Sequence, residues 1–142
     1  DFIFGPSTAL FENCEIRSKT NSYVTAASTP EDIAVGYVFK NCKLTANPGV
    51  DKVYLGRPWR PYAATVFINC EMGKHIRPEG WHNWGKEENE KTARYAEYNS
   101  TGEGAAVAGR VKWAKQLTKK EAAQYDDLNY IYRMCSDWKP EN

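Results

Sequence analysis

No apolar run in this 142-residue chain approaches the ~20 residues that span a bilayer, so no membrane helix is expected. Neither sign of charge dominates: 19 Lys plus Arg stand against 18 Asp plus Glu, a net charge of +1. That balance excludes a chain driven onto nucleic acid by its overall charge, although it leaves room for a local basic patch. There are 2 histidines, and the 4 cysteines form no Cys-x-x-Cys pair, which argues against a zinc site. An initiator methionine and a signal segment are also missing. The chain opens Asp1-Phe2-Ile3-Phe4-Gly5, inside an apolar strand-like run, and so reads as a piece of a longer chain whose start is silent about its compartment. What is present is ordinary for a folded protein: 42% hydrophobic and 26% charged residues, in a length that suits one domain over 1–142.

An internal repeat sets the architecture. Phe11-Glu12-Asn13-Cys14-Glu15-Ile16, Phe39-Lys40-Asn41-Cys42-Lys43-Leu44 and Phe67-Ile68-Asn69-Cys70-Glu71-Met72 align without gaps, each 28 residues after the last. Short strand-like triplets lead into them (Ala9 to Phe11, Tyr37 to Phe39, Thr65 to Phe67), with turn signals such as Asn47-Pro48-Gly49 between. A unit this size holds two or three short strands and cannot bury an apolar face alone, but it can when stacked on its neighbour. The expected fold is all-β: a right-handed parallel β-helix with 28-residue coils over about 1–85. Asn13, Asn41 and Asn69 are expected to form a ladder at one corner, each amide bonding to the coils above and below. A leucine-rich solenoid fits less well, because the Leu spacing is wrong and no helix fits between repeats. Cys14, Cys42 and Cys70 are expected to point into the core as small apolar groups. Stacked coils come close enough for a disulfide, but side chains in register point the same way, which disfavours one. Cys135 has no obvious partner.

Beyond residue 85 the pattern changes. The charged stretch 86–94 reads as an exposed loop or short helical turn, and Ala93 to Tyr98 and Val107 to Trp113 read as further strands. Asn99-Ser100-Thr101 matches a glycosylation acceptor, a common match that carries little weight. Thr118 and Glu121 form a capping box, opening a helix from Lys119 to about Leu128 that covers the flank or end of the solenoid. Asp126-Asp127 reads as a solvated helix face, and His75 and His82 as surface residues.

Two stretches are unusual for a plain solenoid. In Asp1-Phe2-Ile3-Phe4-Gly5 a carboxylate heads an apolar strand. In Tyr54-Leu55-Gly56-Arg57-Pro58-Trp59-Arg60, Pro58 fixes its own φ and pushes Arg57 towards extended backbone, presenting Arg57 and Trp59 from a rigid element. Lys52, Arg57 and Arg60 give residues 52–60 a charge of +3 with no acid. A tryptophan beside cations suits a sugar ring that carries carboxylates.

Asp-Phe-Ile-Phe-Gly and Leu-Gly-Arg-Pro-Trp resemble the two most diagnostic motifs of the pectin methylesterases, in the family's order. Gly80-Trp81, Tyr95-Ala96-Glu97-Tyr98, Gly109 to Trp113 and the closing Leu-Thr-x-x-Glu-Ala also look like the family's later segments, so the resemblance covers essentially the whole chain. Gly5-Pro6-Ser7-Thr8 looks more like the bacterial branch. The resemblance implies an esterase that removes methyl groups from methyl-esterified polygalacturonate and releases methanol. Asp1 matches the nucleophilic carboxylate and Arg57 the arginine that holds it, a neighbour that favours the ionised form. Trp59 matches the aromatic that packs on the sugar, and Phe4 and Trp81 look like further cleft-lining aromatics. The implied partner is pectin, outside the cell, hence a secreted or periplasmic monomer with no metal or cofactor.

The family's acid/base aspartate and its oxyanion glutamine lie upstream of the first motif. Their absence from this chain, and a free α-ammonium on Asp1, imply that it is inactive alone. The alternative is a non-catalytic β-helix that binds pectin or another acidic polysaccharide through Trp59 and the basic patch. A lyase or glycosidase fits less well, since no cluster of carboxylates and no second opposed acid is visible.

Overall fold

The computed structural model describes residues 1–133, and Cys135 lies outside them. Three parallel sheets run along the molecule, and each coil gives one strand to each. The first coil contributes β1 (Ile3–Gly5), β2 (Ala9–Glu12) and β3 (Glu15–Ser18). The second contributes β4 (Tyr23–Ala27), β5 (Tyr37–Lys40) and β6 (Lys43–Ala46), and the third β7 (Tyr54–Pro58), β8 (Ala64–Ile68) and β9 (Glu71–Met72). A partial fourth coil adds β10 (Arg94–Tyr98), and β11 (Lys115–Gln116) adds one further rung to the same sheet. The sheets read β1-β4-β7, β2-β5-β8-β10-β11 and β3-β6-β9. This is the parallel β-helix expected from the repeat.

The register explains why the repeat shows where it does. Phe11 pairs with Phe39 and Phe39 with Phe67. In the first sheet, however, Ile3 pairs with Thr25 and Thr25 with Gly56, steps of 22 and 31 residues. The 28-residue period thus belongs to the second and third sheets and the corner between them. Loops of unequal length erase it from the sheet that carries the unusual motifs.

That corner needs a left-handed residue, and Asn supplies it at low cost. Asn13, Asn41 and Asn69 have φ of 56°, 55° and 53°, and Asn99, at 51°, is a fourth member the repeat reading omitted. The expected amide ladder is largely replaced by a backbone one: the N–H groups of Asn13, Asn41 and Asn69 donate to Lys40, Ile68 and Tyr98 carbonyls. Among the described residues one side-chain rung joins this row, Asn99 Nδ2 donating to Asn69 Oδ1 at 2.9 Å. The acceptor-like Asn99-Ser100-Thr101 therefore serves the corner.

The core holds a column of rings. Phe11 stacks on Phe39 with centroids 4.8 Å apart, and Phe39 on Phe67 at 4.5 Å. Cys42 and Cys70 are buried as expected, but Cys14 is exposed. Cys42 Sγ lies 3.3 Å from the Phe11 carbonyl and Cys70 Sγ 3.5 Å from that of Phe39, so the thiols do form a column. Cys14 is its outer member. All three thiols are free.

The C-terminal part departs from the sequence reading in two places. Residues 107–113 are a 3-10 turn (Val107–Gly109) followed by bends, and β11 is only two residues long. Arg110, which follows that turn, lies against Gly80 and points inward to Glu97. The helix expected from Lys119 to about Leu128 is broken into α1 (Lys119–Ala123), a 3-10 turn and α2 (Leu128–Ile131), because Asp127 caps a new helix by accepting from Asn129 N–H. The Thr118–Glu121 capping box is present. Ala122, Tyr125, Leu128 and Ile131 pack over Val38, Val66, Ile68 and Ala96, so the segment covers the flank of the second sheet as expected. Asp126 pairs with Lys40 Nζ at 2.7 Å across that junction.

Candidate active site

The first sheet brings Asp1, just before β1, and Arg57, in β7, together from 56 residues apart. Phe4, Ala26 and Arg57 lie in line across β1, β4 and β7, which sets the reach from one outer strand to the other. Arg57 Nη2 donates to Asp1 Oδ2 at 3.2 Å. Gly56 permits this register. A Cβ there would overlap Thr25 Oγ1 and fall 3.0 Å from the Trp81 ring, so β7 can lie against β4 only with glycine at that point.

Phe4 and Trp59 form an aromatic ledge beside the ion pair. Their centroids are 6.0 Å apart, edge to face, and they remain 64% and 37% exposed. Exposed rings of this size, held by strands, offer an apolar surface that a sugar face can cover. Arg60 lies over the outer face of Trp59, 5.3 Å from its centroid. Asp1 also lines a depression with Phe2, Ile16, Arg17, Thr20 and Tyr23.

Trp81 does not join this ledge. It is 1% exposed, stacked on Tyr95 at 4.3 Å and tilted against Phe67 at 5.9 Å. Its indole N–H points to Glu97 Oε2 at 3.4 Å. The residue read from sequence as cleft-lining is core, and it touches the site only from beneath, through Gly56.

The histidines also depart from expectation. His75 is buried, and its burial holds the imidazole below the ordinary range. His82 is half-buried beside the site, edge-on to Tyr23 at 5.7 Å and Tyr54 at 5.1 Å. Burial first, then the charges of Arg57 and Arg77, lower its pKa.

Sequence reasoning missed Tyr23, Tyr54 and Trp84. Tyr23 and Tyr54 are register partners whose rings stack at 5.3 Å, with Arg77 lying 4.9 Å over Tyr54. Arg57 itself lies between Tyr23, at 4.1 Å, and Trp84, at 4.2 Å. The available signal was two tryptophans three residues apart, Trp81 and Trp84, in a segment without strand alternation.

The arrangement is a carboxylate fixed by a guanidinium, on a rigid sheet, bordered by exposed aromatics and further cations. It can present an anionic oxygen to an electrophilic carbon while a ring-shaped ligand rests on Phe4 and Trp59.

Comparison with known proteins agrees with this geometry. A family model described as Pectinesterase matches residues 1–134. Pectinesterase 31 of Arabidopsis thaliana is 43% identical over 132 residues, covering 92% of this chain and 42% of that protein. The structure of pectin methylesterase from carrot superposes with a TM-score of 0.85 at 30% identity, covering all of this chain and 50% of that one. A pectin methylesterase in complex with hexasaccharide VII gives 0.76 at 31% identity, covering 100% and 49%. The chain therefore spans about half the length, or less, of the proteins it matches. These identities give no preference for the bacterial branch suggested by Gly5 to Thr8. With its family model matched across nearly all of its length, the chain belongs to the pectinesterase family.

Proposed function

We propose that this chain carries the nucleophilic half of a pectin methylesterase site. The observation behind this reading is the Asp1–Arg57 contact at 3.2 Å, flanked by the exposed Phe4–Trp59 ledge. An Asp1 carboxylate oxygen attacks the C6 carbonyl carbon of a methyl-esterified galacturonate. The bond from that carbon to the methoxy oxygen breaks, and methanol leaves with a proton from a general acid on a coil outside this chain. Water then hydrolyses the acyl-Asp1 anhydride, releasing the free galacturonate and restoring the carboxylate. Arg57 holds the nucleophile in its charged, oriented form. Trp59 and Phe4 carry the sugar, and Trp81 serves from beneath as packing. The relative solved with a hexasaccharide supports a substrate of several sugar units. A pectin substrate supports a protein that works outside the cytoplasm.

A second reading, binding without catalysis, draws on the same ledge and on Arg60 over Trp59. One experiment separates the two. Methanol release from highly methylated pectin is measured for this chain and for a chimera in which the N-terminal coils of the carrot enzyme precede Asp1. The expected result is silence from the chain alone, release by the chimera, and loss of release in its Asp1→Ala variant. A silent chimera that still binds pectin, with binding lost in Trp59→Ala, would instead support the binder.

A further inference from the structure

Arg57 is half-buried, and hydrogen bonds do little to aim it. Among the described residues its one polar partner is Asp1, and its Nε is buried with none. What surrounds the guanidinium is two rings, Tyr23 at 4.1 Å and Trp84 at 4.2 Å. A planar cation between two aromatic faces keeps its plane and loses its freedom to swing, while its edge stays free to donate.

The second ring is held in place with care. Trp84 has φ of +64°, a left-handed backbone that a bulky residue adopts only when its surroundings fix it. Asn83 anchors the turn through Gly85 N–H and Lys86 N–H, and the contact on Trp84 itself is its N–H donating to His82 Nδ1 at 3.0 Å. Nδ1 can accept only while the imidazole is neutral with its proton on Nε2. The groups facing His82 are Tyr23 from β4, Tyr54 and Arg57 from β7, and Arg77 from the preceding loop. None is an acid that would favour the imidazolium.

We propose that Tyr23 and Trp84 are positioning residues that aim the Arg57 guanidinium at Asp1, and that His82 latches Trp84 in place only in its neutral form. Protonation turns Nδ1 into a donor that faces another donor, releases the turn at Trp84 and removes one wall of the clamp. Burial and the charges of Arg57 and Arg77 favour the neutral imidazole and so the closed latch. The clamp stands on the geometry alone; its consequence for ester hydrolysis rests on the function proposed above.

The test uses this chain with labelled arginine. NMR reads the Arg57 side-chain protons, which the flanking rings move upfield, as pH falls from about 8 to about 4, through the ordinary histidine range. In the wild type the upfield shift is expected to persist at neutral pH and to collapse as His82 protonates on acidification. Trp84→Ala is expected to lose it at every pH, and Trp84→Phe to retain it. His82→Asn keeps an acceptor oxygen near the Nδ1 position, so its shift should stay and no longer titrate. In the carrot chimera, Trp84→Ala is expected to lower kcat by roughly 10- to 100-fold with KM within about twofold, and Trp84→Phe to recover most of the loss. An unchanged Arg57 shift in a folded Trp84→Ala, or a wild-type titration in His82→Asn, would overturn the clamp. If Trp84→Ala does not fold, His82→Asn alone decides. A chimera silent in every form would remove the esterase reading and leave the clamp to be judged by NMR.

Discussion

Glu97 and Arg110 show how much a single position can hide. The fourth coil places Glu97 opposite Phe67, where the three earlier coils carry phenylalanine. A carboxylate at the end of a ring column is costly unless it is paired. Here Arg110 Nε donates to Oε2 at 2.8 Å and Nη2 to Oε1 at 3.1 Å, while the Trp81 indole covers the same oxygen. Arg110 also donates to the carbonyls of Gly104 and Pro78, tying three segments around one ion pair. Glu97→Gln leaves the arginine cation buried without its counter-charge, and a loss of about 3–5 kcal/mol is expected. Replacing both residues by Met should cost far less, because no charge is stranded. Urea midpoints of the two variants check this, and a Glu97→Gln protein within about 1 kcal/mol of wild type would refute it. Sequence alone did not reveal the pair. The phase of the repeat shifts from 28 to 30 residues before this coil, so Glu97 never fell under the phenylalanine column. Asp1 and Arg57 were legible for the opposite reason: each sits in a compact motif that needs no register to be noticed. Tyr23 and Trp84 became visible only once the register of the first sheet was known.

At the scale of elements, the start of the C-terminal helix was readable from local chemistry, whereas the second cap that Asp127 supplies was not. The capping box marks that start. Glu121 N–H donates to Thr118 Oγ1 at 3.1 Å, and Thr118 N–H returns to Glu121 Oε1 at 2.9 Å. What ends the helix was less readable, because the break after Ala123 serves distant contacts: Asp126 reaches Lys40, and Tyr125 and Leu128 reach the second sheet. Likewise the expected strand at 107–113 is a 3-10 turn after which Arg110 points inward to Glu97, a partner the local sequence does not show. The cap yields two expectations. Thr118→Ala should cost about 1 kcal/mol, read as a lowered melting midpoint. The Glu121 carboxyl, bonded first to Lys115 Nζ and then to Thr118 N–H, is held at about 2, below its unfolded value of 4.5. A folded pKa lowered in this way adds stability that is complete above the unfolded value and disappears as pH falls from 4.5 towards about 2. The melting difference between wild type and Glu121→Gln should therefore shrink across that window, and a difference constant from pH 6 to about 2 would contradict the assignment.

At the scale of the whole molecule, the candidate site is a product of stacking. Asp1 comes from the first coil, Tyr23 from the second, Arg57 and Trp59 from the third, and Trp84 from the excursion that leads into the fourth. No coil holds a working part of the site by itself, so the contacts that set coil spacing also set the Asp1–Arg57 distance. In a solenoid those contacts act between nearest neighbours, and a defect at a central coil weakens two interfaces where one at an end coil weakens one. The phenylalanine column makes this measurable. Phe39 is fully buried and stacks on both Phe11 and Phe67, whereas Phe11 is half-buried, stacks on Phe39 alone and meets the exposed Phe2 edge to face at 5.4 Å. Phe39→Ala should cost about 3–5 kcal/mol through lost burial and the cavity left between coils. Phe11→Ala should cost roughly 1 kcal/mol, because part of its surface is already wet. Denaturant midpoints give the ratio, and hydrogen exchange gives its distribution. Backbone amides of β5 and β8 should exchange slowest in the wild type and lose most protection in Phe39→Ala, while those of β1 exchange fast in both. Equal costs for the two substitutions would mean that the coils do not divide the stability between them as neighbours, and that the Asp1–Arg57 spacing is set by the first sheet alone.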